Sequence, residues 1–187
     1  MIIPKIIWFL NIAAWLLPPF RQKGCKYFVY FLILALSDPV FQIIDMVRNS
    51  DSTSYYLVVS TLILITLFKK KSLLLLMIPI LFLSIYLTNP EIRIFTFLVH
   101  FIILLYFLKE FIIILGQESK ILIFNLMLVL YEASVLFKFG ATYFEIAGYL
   151  FFYLTTAFEI LIAIFFTVYN EKNSPVIKLK MEPDKAG

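Results

Sequence analysis

Long apolar runs, each closed by a short charged or proline-bearing cluster, fill this chain from its first residues to Tyr169. A helix needs about 20 consecutive apolar residues to cross the hydrocarbon core of a bilayer. Lipid offers no hydrogen-bond partner, so a crossing backbone has to satisfy itself, and isolated runs of this length predict helices rather than strands. The spans read as Ile2–Phe20, Tyr27–Val47, Thr53–Phe68, Ser72–Leu87, Ile92–Leu108 with an amphipathic continuation to Leu115, Ile121–Phe139 and Tyr143–Tyr169. Thr88-Asn89-Pro90-Glu91 reads as a turn, because Pro90 disfavours helix at Asn89. Gly116–Lys120 and Gly140–Thr142 read as the other breaks.

Composition excludes the soluble alternative. Of the 187 residues, 63% are hydrophobic and 15% charged, whereas a soluble domain carries roughly 25% charged residues. The expected fold class is all-α, a polytopic transmembrane helical bundle of about seven spans over residues 1–169. The remainder, 170–187, is expected to be a short polar tail, disordered and cytoplasmic. The first apolar run, Ile6 to Leu17, ends in Pro18-Pro19-Phe20-Arg21 without a small-residue cleavage motif, so it is expected to stay as the first span.

Charge sets the orientation. Cytoplasmic loops collect Lys and Arg. With the N-terminus outside and the C-terminus inside, twelve of the sixteen Lys and Arg residues fall on the cytoplasmic side, in the clusters Arg21–Lys26 and Lys69–Lys71, at Lys109 and Lys120, and in the tail. Lys5, Arg48, Arg93 and Lys138 fall outside. The net charge of +4 is therefore a topology signal and does not point to nucleic acid. Trp8, Tyr27, Tyr55, Tyr86, Tyr106 and Tyr169 lie towards span ends, as an interfacial aromatic belt requires; Trp15 and Tyr131 do not. Cys25, the lone cysteine, lies in a cytoplasmic loop and has no internal partner.

The spans also hint at a duplication. Leu32, Leu34, Leu36 and Asp38 match Leu126, Leu128, Leu130 and Glu132 in order, and Phe9-Leu10, Leu16-Leu17 and Arg21 match Phe97-Leu98, Leu104-Leu105 and Lys109 at equal spacing. This is a 3+1+3 pseudo-repeat. Its topology resembles the PQ-loop and sugar-exporter superfamily of small seven-helix carriers, with Pro18-Pro19 in the place of the first family proline. The fifth span has no proline between Ile92 and Leu115 to match the second. That resemblance implies a small-solute or proton-coupled transporter. Microbial rhodopsins share the span number but need a lysine in the last span, and Tyr143–Tyr169 has none.

Ionisable groups deep in a bilayer are costly, about 2.5–3.5 kcal/mol each, and invite a functional explanation. Asp38, His100 and Glu132 are the deep ones, with Asn11 at similar depth and Glu159 nearer the cytoplasm. Helical spacing puts Asp38, Gln42 and Asp45 on one face of the second span and Arg93, Thr96 and His100 on one face of the fifth. It does the same for Asn125 and Glu132 on the sixth, and for Glu145, Tyr149, Phe152, Thr156 and Glu159 on the seventh. These stripes should face one another, as a polar pocket or proton-responsive cluster centred on His100, or as interhelical hydrogen-bond glue. Pro39, beside Asp38, is a candidate hinge, because proline leaves the Ala35 carbonyl without its helical partner.

No zinc-protease, nucleophile-elbow or phosphate-loop motif occurs. A single histidine with scattered acids lacks metal-ligand spacing. The expectation is a non-enzymatic protein of a cell membrane, such as the bacterial cytoplasmic membrane, with no cofactor. It would act as a sensory or accessory module in contact with the lipid bilayer and with a cytoplasmic or membrane protein partner. The carrier implied by the resemblance and a structural subunit of a membrane complex are the alternatives.

Overall fold

Each apolar run that the structure describes is helical, so its backbone hydrogen bonds are satisfied within the segment. The computed structural model describes residues 3–48, 53–68, 78–80, 89–144 and 148–179. The Lys69–Lys71 cluster, most of the fourth span, Glu145 and the tail from residue 180 lie outside the described residues; 78–80 are helical. The helices are α1 (Ile3–Trp15), α2 (Pro18–Gln22), α3 (Phe28–Arg48), α4 (Thr53–Phe68), α5 (Asn89–Glu118), α6 (Ile123–Tyr143) and α7 (Tyr149–Val168). Two strands, β1 (Lys120–Leu122) and β2 (Val176–Lys178), complete the described elements.

Among the described residues three helical stretches are long and apolar enough to cross a membrane: Asn89–Glu118, Ile123–Ala141 and Leu150–Val168. Shorter apolar stretches, Phe28–Ile44 and Ser54–Phe68, accompany them. Several boundaries differ from those read in the sequence. The first run divides at the Leu16-Leu17 step, and α2 starts on Pro18-Pro19, where a missing N–H does no harm. Asn89-Pro90-Glu91 is the first turn of α5 for the same reason, not a turn before it. At its other end α5 runs through Gly116 to Glu118 and stops at Ser119, whose φ of 49° is left-handed.

The helices close into a ring. α1 packs on α3, α3 on α4, α4 on α5, α5 on α6, α6 on α7, and α7 back on α1. The ring turns apolar side chains outward: Phe20, Met46, Phe137, Phe144, Leu150 and Leu161 are all exposed. Inside it are Asn11, Gln22, Ser60, Thr96, His100, Asn125, Glu132, Ser134 and Glu159, all buried. Water as solvent would select the opposite arrangement.

One end of the ring is plugged. Tyr27, Tyr30, Phe31, Phe107, Phe124 and Phe166 are almost fully buried there and meet ring to ring. Tyr27 and Trp15 thus belong to the core; Tyr27 is not part of an interfacial belt. α2 locks onto the C-terminus of α7, whose last carbonyls lack helical partners. Gln22 Nε2 donates to the Phe166 and Tyr169 carbonyls at 2.9 and 2.8 Å, and Arg21 Nε to the Val168 carbonyl at 3.0 Å. Lys26 pairs with Glu110 at 2.6 Å. Burial works against its ammonium, but the Glu110 carboxylate and the Tyr27 ring outweigh that and hold the Lys26 pKa above the ordinary lysine range.

The tail differs from expectation as far as it is described. β2 pairs antiparallel with β1, Ile177 opposite Ile121. Ahead of it, Ser174 Oγ accepts from Phe124 N at 2.9 Å, and the Pro175 carbonyl from Ile123 N at 3.1 Å. Both are first-turn donors of α6 that the helix leaves unsatisfied. Ser174→Ala is therefore expected to lower stability by about 1 kcal/mol, the worth of a helix cap, as a fall in the thermal-unfolding midpoint of purified protein.

A candidate solute-binding cavity

Away from the plug the ring encloses a cavity of about 490 Å³. It is lined by the N-terminal halves of α4, α5 and α7 and the C-terminal half of α6, with Trp15, Leu34, Ile63 and Tyr131 on the side of the plug. Ligand pockets typically measure about 300–1,000 Å³ and combine apolar walls with a few placed polar groups. The walls here are Trp8, Trp15, Tyr56, Phe139 and Phe152; the polar groups include Asn11, Asp38, Ser60, Arg93, His100, Lys138, Thr156 and Glu159. A second hollow, of about 480 Å³, lies along α5 and α6 between Phe97, Phe101, Leu136, Phe137 and Phe144 and has an apolar lining.

His100 links the cavity to the plug. It comes from the buried stripe Ile92, Thr96, His100, Ile103 and Phe107, one face of α5. Its Nδ1 is 2.9 Å from Glu132 Oε2 and its Nε2 is 2.8 Å from Ser60 Oγ. Tyr30 OH donates to Glu132 Oε1 at 2.8 Å. When Ser60 gives its one hydrogen to the Tyr56 carbonyl, 2.7 Å away, Nε2 is a donor, and one further proton lies between Nδ1 and Oε2. The chain Tyr30–Glu132–His100–Ser60 is then complete. Phe139 stacks on the imidazole at 5.3 Å. With both ring nitrogens engaged, His100 has no lone pair left for a metal.

A second polar unit joins α6 to α7. Lys138 donates to Glu159 Oε2 and, at 3.1 Å, to Thr156 Oγ1; Ser134 Oγ donates to Glu159 Oε1 at 3.2 Å. Burying either charge alone would be costly, and the pair with its flanking hydroxyls offsets this.

Of the residues read as a polar cluster, Asn11, Asp38, His100 and Glu159 line the cavity. Glu132 stands behind His100, fully buried. Gln42 does not line the cavity. Asp38 lines it and, among the described residues, makes no hydrogen bond or ion pair with His100 or Glu132. α3 runs unbroken through Pro39, so no helix break stands beside Asp38. Side chains tend the backbone there: Ser37 Oγ donates to the Leu34 carbonyl at 2.7 Å, and Tyr55 OH to the Ser37 carbonyl at 2.8 Å.

Sequence reasoning did not single out Lys138, Tyr30 or Ser60. Lys138 was legible, since it falls four residues after Ser134 and seven after Tyr131, on the polar face of α6. Counting it as an exterior topological charge hid that. Tyr30 carried no such signal, because a tyrosine near a span end also suits an interface. The chain matches no protein-family model, no curated protein and no solved structure.

Proposed function

We propose that this chain is a non-enzymatic integral membrane protein, seven spans with the N-terminus outside, whose cavity receives a small polar solute from the exterior and whose occupancy is reported to a cytoplasmic or membrane partner. The observation that carries this reading is the cavity itself: about 490 Å³, walled by aromatic rings and set with ionisable groups inside an otherwise apolar-faced bundle. Ionisable groups are costly in such a setting and are kept where they bind or move something. In this reading the plug lies at the cytoplasmic end and the cavity in the outer half. The His100–Glu132–Tyr30 chain runs from the cavity wall into the plug, a physical route from occupancy to the inner face.

A sensory module suits these helices better than a moving carrier. Among the described residues, Gly116 and Gly148 have no neighbour within 4 Å of where a side chain would stand, and Gly140 meets Phe97 at 3.8 Å. The close glycine crossings that carriers use are not among the described residues, and the run that divides, at Leu16-Leu17, leads into α2 on the plug side and not into a break within the cavity. A carrier on the 3+1+3 plan is the second reading, favoured by the ionisable groups that line the cavity. Solute uptake into proteoliposomes separates the two: a carrier accumulates counter-flow label, and a sensor binds without uptake.

Both tryptophans of the chain, Trp8 and Trp15, line the cavity and report on it. Purified full-length protein is expected to show a saturable change in tryptophan fluorescence with one class in a panel of sugars, nucleosides, carboxylates, amines and amino acids. Val135→Phe, which fills the cavity, is expected to abolish it. No response to any class would refute the reading. The topology has its own test. A cytoplasm-active reporter fused after Tyr169 is expected to be active, and one fused at Asn89 inactive; the reverse pattern would overturn both span count and orientation.

A further inference from the structure

The polar lining is nearly self-satisfied, and what is left over is specific. His100 is engaged by Glu132 and Ser60, and Lys138 by Glu159 and Thr156. Two charged cavity residues make no hydrogen bond or ion pair among the described residues: one acid, Asp38, and one base, Arg93. A third group is also unmatched. Asn11 is 91% buried, lines the cavity, and its Oδ1 has no partner. A buried acceptor left without a donor costs about 1–3 kcal/mol, so an Oδ1 held in this way suits a donor brought by a ligand.

The ring order separates these groups by sign. Asn11 on α1 and Asp38 on α3 are acceptors on adjacent helices. Arg93 on α5 is separated from α1 by two helices whichever way the ring is followed, and offers a planar fork of donors. Among the described residues the lining carries two acids, Asp38 and Glu159, against two bases, Arg93 and Lys138. A ligand with net charge would leave that charge unbalanced in a medium of low dielectric. A ligand carrying one cation and one anion matches both free groups and leaves the balance intact.

We propose, on the reading of this cavity as a solute site, that its ligand is a small zwitterion with an ammonium and a carboxylate, such as a free α-amino acid. The ammonium donates to Asp38 and to Asn11 Oδ1, with the Trp8 and Tyr56 rings beside it as cation–π faces. The carboxylate accepts the Arg93 fork, a bidentate pairing that lysine cannot reproduce. The Lys138–Glu159 pair and the His100–Glu132 pair stay intact and shape the walls.

The test uses full-length protein in detergent, tryptophan fluorescence as readout, and non-aromatic free α-amino acids as probes up to millimolar concentration. At least one is expected to bind saturably. Its amide, which lacks the carboxylate, and its N-acetyl derivative, which lacks the ammonium, are each expected to bind about tenfold or more weakly, as loss of a charge-assisted hydrogen bond predicts. Arg93→Gln is expected to weaken the amino acid by a similar factor and to leave the amide unchanged. Asp38→Asn is expected to weaken the amino acid and to leave the N-acetyl derivative unchanged. Should Arg93→Gln not fold, Arg93→Lys keeps the charge, loses the fork, and is expected to weaken the free amino acid several-fold. An amide or N-acetyl derivative that binds like its parent, or an Arg93 variant with unchanged affinity, overturns the assignment. Binding of another solute class alone, lost in Val135→Phe, overturns the zwitterion and leaves the cavity reading standing. Binding by no class refutes both.

Discussion

Glu132→Ala is expected to be the most destabilising single change in the polar interior. The side chain is fully buried, accepts from Tyr30 OH at 2.8 Å and faces His100 Nδ1 at 2.9 Å. Removing it orphans a phenol and an imidazole nitrogen together. Breaking a buried pair costs about 3–5 kcal/mol, a large part of the roughly 5–15 kcal/mol that holds a typical domain. Glu132→Gln is the informative contrast. Its carbonyl still accepts from Tyr30, and its amide donates to Nδ1 with the imidazole hydrogen on Nε2. The loss should then be nearer 1–2 kcal/mol. The measurement is the unfolding midpoint in mixed micelles titrated with SDS, with monodispersity as a check on folding. Equal midpoints for the two variants would mean that the chain Tyr30–Glu132–His100 does not support the fold.

Phe166→Ala is expected to loosen the plug by a comparable amount. Phe166 is fully buried, and its ring lies 4.7 Å from Phe31, 5.2 Å from Phe124 and 6.5 Å from Trp15. Those partners come from α3, α6 and α1, so the one ring ties three helices to α7. Among helices in lipid, packing and not transfer from water is the driving term. A hole here forfeits contacts on three sides, and truncating a buried phenylalanine costs about 3–5 kcal/mol. Leu161→Ala on the same helix removes a side chain that is 65% exposed; it should move the midpoint by less than about 0.5 kcal/mol. If both substitutions had equal effects, the bundle would not be organised around this plug.

Hydropathy located the apolar helices among the described residues, because a window of span length picks out such runs. That window does not see short or local devices. Pro18-Pro19 starts a separate helix that locks α7, which a 20-residue window merges into the first span. Val176–Lys178 is too short to read as a strand until its partner, Lys120–Leu122, is in place. The polar stripes were legible because helical spacing is rigid: Thr96 with His100, and Asn125 with Glu132, are buried together as their registers require. What each stripe meets was not legible, since helix order around the ring is set by packing of apolar faces that look alike in sequence. Hence Asp38 was grouped with His100 and Glu132, whereas among the described residues it bonds to neither.

A polar cavity open to the exterior is most directly tested by cysteine accessibility. Cys25 is the chain's one native cysteine, so Cys25→Ser gives a blank background. Thr156 lines the cavity, and Ala163 is fully buried against the plug. A membrane-impermeant thiol reagent added to intact cells should label Thr156→Cys and spare Ala163→Cys. Labelling of Thr156→Cys only in inverted vesicles, or from neither side, would contradict an outward-facing cavity.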